Sequence, residues 1–220
     1  MAEDEEREEL VNVYDADGAV LGARPRRQAK ASGLAVGAVN ALLVNARGEV
    51  LLQRRPRAKE NGGLWDKSVG GHVSAGEDFD ATLVREAGEE LFDDPASPHV
   101  CLASSESEFR DALPRTDLAE NVLLRRAGLQ RNLRDVRHAP LRAGIRVVVY
   151  HVAIYPGRTD IPAGSFSPQS AEIDDLGYFD AGAVDRMLVD GGLAPNMAFL
   201  WLTQGKALLD LLRTDHRGNG

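Results

Sequence analysis

The stretch that decides the fold is GHVSAGEDFDATLVREAGEELF, residues 71–92. It carries six carboxylates, and Glu86, Glu89 and Glu90 follow Arg85 at helical spacing. Residues three and four apart share a helix face, so these three acids stand together. Phe79, Leu83, Ala87 and Leu91 recur every fourth residue and form a separate apolar stripe that can be buried. Like charges on one face repel, each pair costing a few tenths of a kcal/mol in an isolated helix, and a cation would relieve them. Clustered hard oxygen ligands suit Mg²⁺ or Mn²⁺, ions that also pair with phosphate oxygens. Ser74-Ala75-Gly76-Glu77 fits an S-x-x-E capping box, with Asp78 and Asp80 placed to favour the positive end of the helix. Gly70 and Gly71, just before it, would let backbone approach a ligand closely.

Outward from this stretch, the composition narrows the class. A net charge of −8 argues against a dedicated nucleic-acid or membrane-surface binder. Six of the acids lie within residues 3–9, so residues 1–9 read as an acidic, solvated tail. Cys101 is the single cysteine, which rules out an internal disulfide and suits a reducing compartment. No signal-peptide pattern opens the sequence and no apolar run approaches membrane length, so a cytoplasmic protein is expected. The remainder, residues 10–214, is long enough for one domain with a real core, and 215–220 should fray.

Taken in order, residues 11–14 and 19–21 flank Asp15-Ala16-Asp17-Gly18 and predict a hairpin. Residues 24–30 read as a basic, solvated connector. Residues 36–44 and 49–54 predict strands around a turn at 45–48. The second strand runs into Arg54, Arg55, Arg57 and Lys59, whose forks and charge suit diphosphate oxygens. The competing explanation is an exposed strand edge with cationic gatekeepers. Trp65 reads as a core or lip aromatic. After a strand at 99–103, residues 104–142 form an insertion rich in arginine: Arg125, Arg126, Arg131, Arg134, Arg137 and Arg142. Leu118, Val122, Leu129, Leu133 and Val136 are spaced roughly helically, predicting one or two amphipathic helices there. A lid, a homodimer contact and a salt-bridged surface insertion are the three roles open to it. No aromatics interleave the arginines, so an RNA-binding arm is not expected. Residues 146–155 are the clearest strand, 156–169 a Gly/Pro/Ser loop, and 181–189 and the segment from Pro195 are helical.

The order Gly71, five residues, Glu77, seven residues, Arg85-Glu86-Ala87-Gly88-Glu89-Glu90 resembles the Nudix hydrolase signature G-x5-E-x7-R-E-U-x-E-E-x-G-U. The resemblance implies an α+β fold of Nudix type, an α/β/α sandwich with a mixed sheet and the loop-helix box at its active edge. It implies divalent-metal-dependent hydrolysis of a diphosphate linkage in a small-molecule substrate, by family analogy a nucleotide or nucleoside diphosphate derivative. Glu86, Glu89 and Glu90, with the Gly71 carbonyl, would hold the metal. Glu90 or Glu172 would act as base, and Arg85 would orient Glu77 and the glutamate cluster. Arg54, Arg55 and Lys59 would clamp the far phosphate, and His72 would serve the substrate or the structure. One departure is that Phe92 stands where the signature closes on Gly, a residue that would end the helix in a left-handed turn.

LWDKSVGGHVSAGE, residues 64–77, together with the hairpin and the 54–59 segment, is similar to the branch containing isopentenyl-diphosphate isomerase. That alternative requires a thiol and carboxylates to move protons across a double bond. The isomerase's Cys position falls on Gly70, two of its His positions on Ala29 and Val36, and its later glutamates near Gly144 and Arg146. Only His72 is kept. A third reading is a Nudix module that binds a diphosphate without cleaving it.

Overall fold

The computed structural model describes residues 8–138, 145–169 and 171–214. The acidic stretch 1–7, Arg142, Gly144 and the 215–220 tail lie outside the described residues. In chain order the first elements are β1 (Leu10–Tyr14), β2 (Val20–Pro25), α1 (Arg26–Ala31), β3 (Ala35–Val44), β4 (Val50–Arg54), β5 (Trp65–Asp66) and β6 (Val69–His72). Then come α2 (Phe79–Phe92), β7 (Val100–Ala103), α3 (Glu106–Ala112), β8 (Val122–Arg125), β9 (Gly128–His138) and β10 (Ile145–Arg158). The chain ends through β11 (Asp175–Phe179), α4 (Ala181–Val189), α5 (Pro195–Leu200) and α6 (Lys206–Thr214). Parallel β7 and β8, beside antiparallel pairs such as β11 with β4 and β3 with β4, make this an α+β fold with a mixed sheet.

The chain divides into two compact units interleaved in sequence. One comprises Met1–Val39, Gly71–Thr82 and Gly128–Ile154; the other comprises Asn40–Gly70, Leu83–Ala127 and Tyr155–Gly220. In the first, β1 and β2 form the predicted hairpin, paired from Leu10↔Pro25 to Tyr14↔Val20. Its turn closes on Asp15, whose Oδ1 accepts the N–H groups of Asp17 and Ala19. The expected basic connector is instead the short helix α1, which buries Ala29.

The helices predicted for the second half of the insertion are absent from the described residues. The described helix of the insertion, α3, lies in its first half, and β8 and β9 beyond it are strands. β9 runs antiparallel to β10 from His138↔Ile145 to Gly128↔Ile154. A bulge places Arg131 and Asn132 opposite His151, with Asn132 at φ 58°. The extra residue breaks the two-residue alternation, so the apolar positions imitate a helical period. The tie is polar and centres on buried His151: its Nε2 donates to the Asp15 carbonyl at 2.8 Å, and its Nδ1 accepts the Asn132 N–H at 3.2 Å.

α2 begins later than the capping-box reading placed it. Ser74 lies in a β-bridge opposite Val11, and Asp78 is the residue whose Oδ1 accepts the Ala81 N–H at 2.8 Å. Glu77 Oε2 instead accepts the Thr82 hydroxyl at 2.8 Å. The physical cause is that Gly76, at φ 84°, turns the chain between Ser74 and the helix.

In the second unit β11 pairs with β4, β4 with the end of β3 at Leu43 and Val44, the end of β10 at Gly157 and Arg158 with β8, and β8 with β7, while β5 pairs with β4. Leu42, Leu43, Leu51 and Leu52 are fully buried within it. Of the expected stripe of α2, Leu83, Ala87 and Leu91 are each 0% exposed, and Phe79 is partly buried. Burying that stripe fixes the rotation of the helix and thereby the direction of its acidic face. Among the described residues no helix is long and apolar enough to cross a membrane.

Candidate active site

Glu90 is the acid that the fold treats differently from its neighbours. It is 7% exposed, and its Oε2 accepts the Gly70 N–H at 2.9 Å and Gln53 Nε2 at 3.2 Å. Burial, and then the charge of Glu86, push its carboxyl up to about 8, against the opposing pull of the Gly70 N–H, Lys67 and Gln53. Glu86 and Glu89 belong to Arg85, whose guanidinium reaches them at 2.9 and 2.8 Å. The spacing follows from the sequence, since Arg85 and Glu89 are one helical turn apart.

The donor set suits a hard divalent cation: three carboxylates on one helix face, two of them close enough that Glu86 disfavours ionised Glu90. Among the described residues, however, no three His, Cys, Asp or Glu side chains converge as a metal-holding group. Arg85 draws Glu86 and Glu89 to itself, while Glu90 is turned towards Gly70 and Gln53. The residues fit the ion in kind, and holding it requires Arg85 to share its partners.

Beside Glu90 lies a buried charged network that sequence reasoning passed over. Asp66 is 3% exposed and Lys67 7% exposed. Lys67 Nζ donates to Asp66 Oδ1 at 3.2 Å, and Arg55 Nη1 donates to Oδ2 at 3.0 Å. Burial works to raise the Asp66 carboxyl, but Lys67, a backbone N–H and Arg55 outweigh it and hold it below the usual carboxylate range. The signal was an Asp-Lys-Ser run between Trp65 and Val69, polar residues where a strand would place apolar ones.

The proposed phosphate clamp is internally neutralised. Arg54 pairs with Asp174 and Asp175 at 3.4 and 3.2 Å, and Lys59 pairs with Glu172. Arg55 is drawn into the buried network and also donates to the Glu60 carbonyl. Glu172 is exposed, and the structure brings it to Lys59. Trp65 is half-buried, edge-on to Phe179 at 4.7 Å, with Arg54 over its ring. In the other unit, Gly71 ends β6 with His72, whose ring lies 6.2 Å from Tyr150.

The NUDIX domain profile matches residues 35–188, well over half of the chain. The chain belongs to the Nudix family. An uncharacterized Nudix hydrolase of Pseudomonas aeruginosa, PA4841, is 38% identical over 84 residues, covering 38% of this chain and 50% of that protein. Another, all7351 of Nostoc, is 35% identical over 85 residues, with the same shares. The chain thus spans about half the length of the curated relatives it matches. In fold it is similar to DR0079 from Deinococcus radiodurans, at TM-score 0.55 and 19% identity over 87% of this chain and 96% of that one.

With the Nudix box assigned, the Phe92 departure acquires a physical account. Phe92 remains helical, and the left-handed turn moves to Asp93, at φ 54°. The Asp94 N–H then reaches the Gly88 carbonyl at 3.1 Å. A Cβ on Gly88 would stand 2.2 Å from the Asp94 oxygen, so the glycine that the helix end requires is Gly88. The Phe92 ring stacks on His99 and meets Phe166 edge-on.

Proposed function

We propose that this Nudix chain is a pyrophosphohydrolase acting on a nucleoside diphosphate derivative, with Mg²⁺ or Mn²⁺ held by Glu86, Glu89 and Glu90. The observation that carries this reading is Glu90, a buried carboxylate beside a like-charged neighbour on the box helix. When bound, such a cation neutralises phosphate oxygens and lowers the pKa of the attacking water. Glu90 Oε2 is occupied by Gly70 and Gln53, so Oε1 is the atom that takes the proton from that water. Without metal the raised carboxyl keeps its proton at neutral pH; a cation held beside it would favour the ionised form, and that carboxylate is the proton acceptor. Glu172, exposed and paired with Lys59, is the weaker candidate for base. Arg85 holds Glu86 and Glu89 on one side of the helix, and Arg54 and Lys59 are half-buried cations that substrate phosphates can compete for. Arg55 serves Asp66 instead of the clamp. The lone Cys101 suits a cytoplasmic setting.

The isomerase alternative is weakened at Gly70. A Cβ there would lie 2.0 Å from Lys67 Cε, so a cysteine cannot enter without displacing a buried lysine. The test is phosphate and pyrophosphate release across nucleotides, dinucleotides, nucleotide sugars and isopentenyl diphosphate, with each metal. Metal-dependent release that Glu90→Gln removes supports the hydrolase. Binding without release selects the non-catalytic module.

A further inference from the structure

Lys67 is a buried cation with more hydrogen-bonding capacity than the fold uses. Its side chain is 9% exposed, and among the described residues its ammonium has one acceptor, Asp66 Oδ1, at 3.2 Å. An ammonium carries three donors. Asp66 cannot neutralise it alone, because the same carboxylate also serves Arg55 at 3.0 Å. Two cations share Asp66, which leaves a positive surplus unless Glu90, whose ionised form Lys67 also favours, carries its charge.

That surplus is aimed at the site. The Lys67 stem crosses the open face of Gly70: a Cβ there would stand 2.0 Å from Cε and 2.8 Å from Nζ. Gly70 is the residue whose N–H donates to Glu90 Oε2. The absence of a side chain at 70 therefore lets an ammonium lie against the backbone that fixes the buried box glutamate. Burying a charge with unfilled donors is costly unless something anionic completes it.

We propose that Lys67 is a substrate-contacting residue whose ammonium donates to the phosphoryl oxygens of the diphosphate beside Glu90. The inference rests on the diphosphatase reading and deepens it. Lys67 transfers no proton; it supplies donors to oxygens that gain negative charge as the bridging bond breaks.

A structural lysine and a substrate-contacting one respond differently to Lys67→Met, which keeps the stem and removes the charge. Loss of a local positive charge weakens anion binding and leaves cation binding equal or tighter, whereas loss of a merely structural prop weakens both. The measurement is calorimetric titration of the full chain with methylenediphosphonate, an uncleavable diphosphate, and separately with Mn²⁺ alone. The expected result for Lys67→Met is about tenfold weaker diphosphonate binding, the scale of one charge-assisted hydrogen bond, with Mn²⁺ binding no weaker than wild type. Diphosphonate affinity within twofold of wild type, or parallel losses for both ligands, overturns the proposal. If Lys67→Met does not fold, Gly70→Ala tests the same point by pushing the ammonium aside, and unchanged diphosphonate affinity there overturns it equally. A wild type that cleaves the substrate panel while Lys67→Met binds normally sinks this inference alone. A wild type that neither binds nor cleaves a diphosphate sinks the functional reading with it.

Discussion

Replacing Glu90 by Gln should stabilise the metal-free protein at alkaline pH while abolishing its activity. The folded chain holds the Glu90 carboxyl at about 8, against an ordinary value of 4.5. Between those values the folded state keeps a proton that the unfolded state has released. The stabilisation from that proton is complete below the ordinary value and is lost as pH rises through about 8. At about 1.4 kcal/mol per pH unit the interval corresponds to a ceiling of about 5 kcal/mol. Relaxation and water entry around a buried charge reduce this to roughly 2–3 kcal/mol. Glutamine keeps an oxygen for the Gly70 N–H and carries no charge at any pH. Urea unfolding in EDTA should therefore show the wild type losing stability from pH 5 to 9, with the variant flat and about 2 kcal/mol more stable at pH 9. Adding Mg²⁺ or Mn²⁺ should reverse the order, because the wild type gains ligand stabilisation and the variant lacks a carboxylate ligand. Turnover should fall by about three orders of magnitude. A variant that is less stable than wild type at pH 9 without metal would refute the electrostatic account of Glu90.

Other substitutions probe the supports of the site. Gly88→Ala should cost about 2–3 kcal/mol in denaturant unfolding, because its Cβ meets the Asp94 backbone oxygen at 2.2 Å; an unchanged midpoint would remove Gly88 from the helix end. Asp66→Asn should cost about 3 kcal/mol by leaving Arg55 and Lys67 without their shared carboxylate, and a loss under 1 kcal/mol would show that the pair is not dry. Burial raises the Tyr178 phenol, whose hydroxyl donates to the Ile161 carbonyl at 2.9 Å. Tyr178→Phe should cost about 1 kcal/mol at pH 7, and the wild type should lose that advantage and more above pH 10, where only the unfolded phenol ionises. Equal stability of the two proteins at pH 7 would count against the hydrogen bond.

Much of the fold was legible because it is written locally. The hairpin at residues 10–25, the strands β3, β4, β7 and β10, and the helices α2 and α4 follow from short-range period and turn chemistry. The carboxylate face of α2 was legible for the same reason. β9 was misread because a bulge at Arg131 and Asn132 alters the period that sequence reading relies on. The capping box failed because Gly76 supports a turn as readily as a helix start.

The sequence by itself determined that Glu86, Glu89 and Glu90 would share a helix face, since 3.6 residues per turn leaves no other arrangement. Tertiary structure decided how they differ. Burial of Leu83, Ala87 and Leu91 rotates the helix, Arg85 takes Glu86 and Glu89, and Gly70 and Gln53 take Glu90. Gln53 lies 37 residues from Glu90 in the chain, and no local period reports such a contact. The cations divide by the same rule. Charge and spacing made Arg54, Arg55 and Lys59 look equivalent, but only Arg55 reaches buried Asp66. Desolvation makes that pairing strong, and Lys67, sharing the same carboxylate, is left with donors for a ligand.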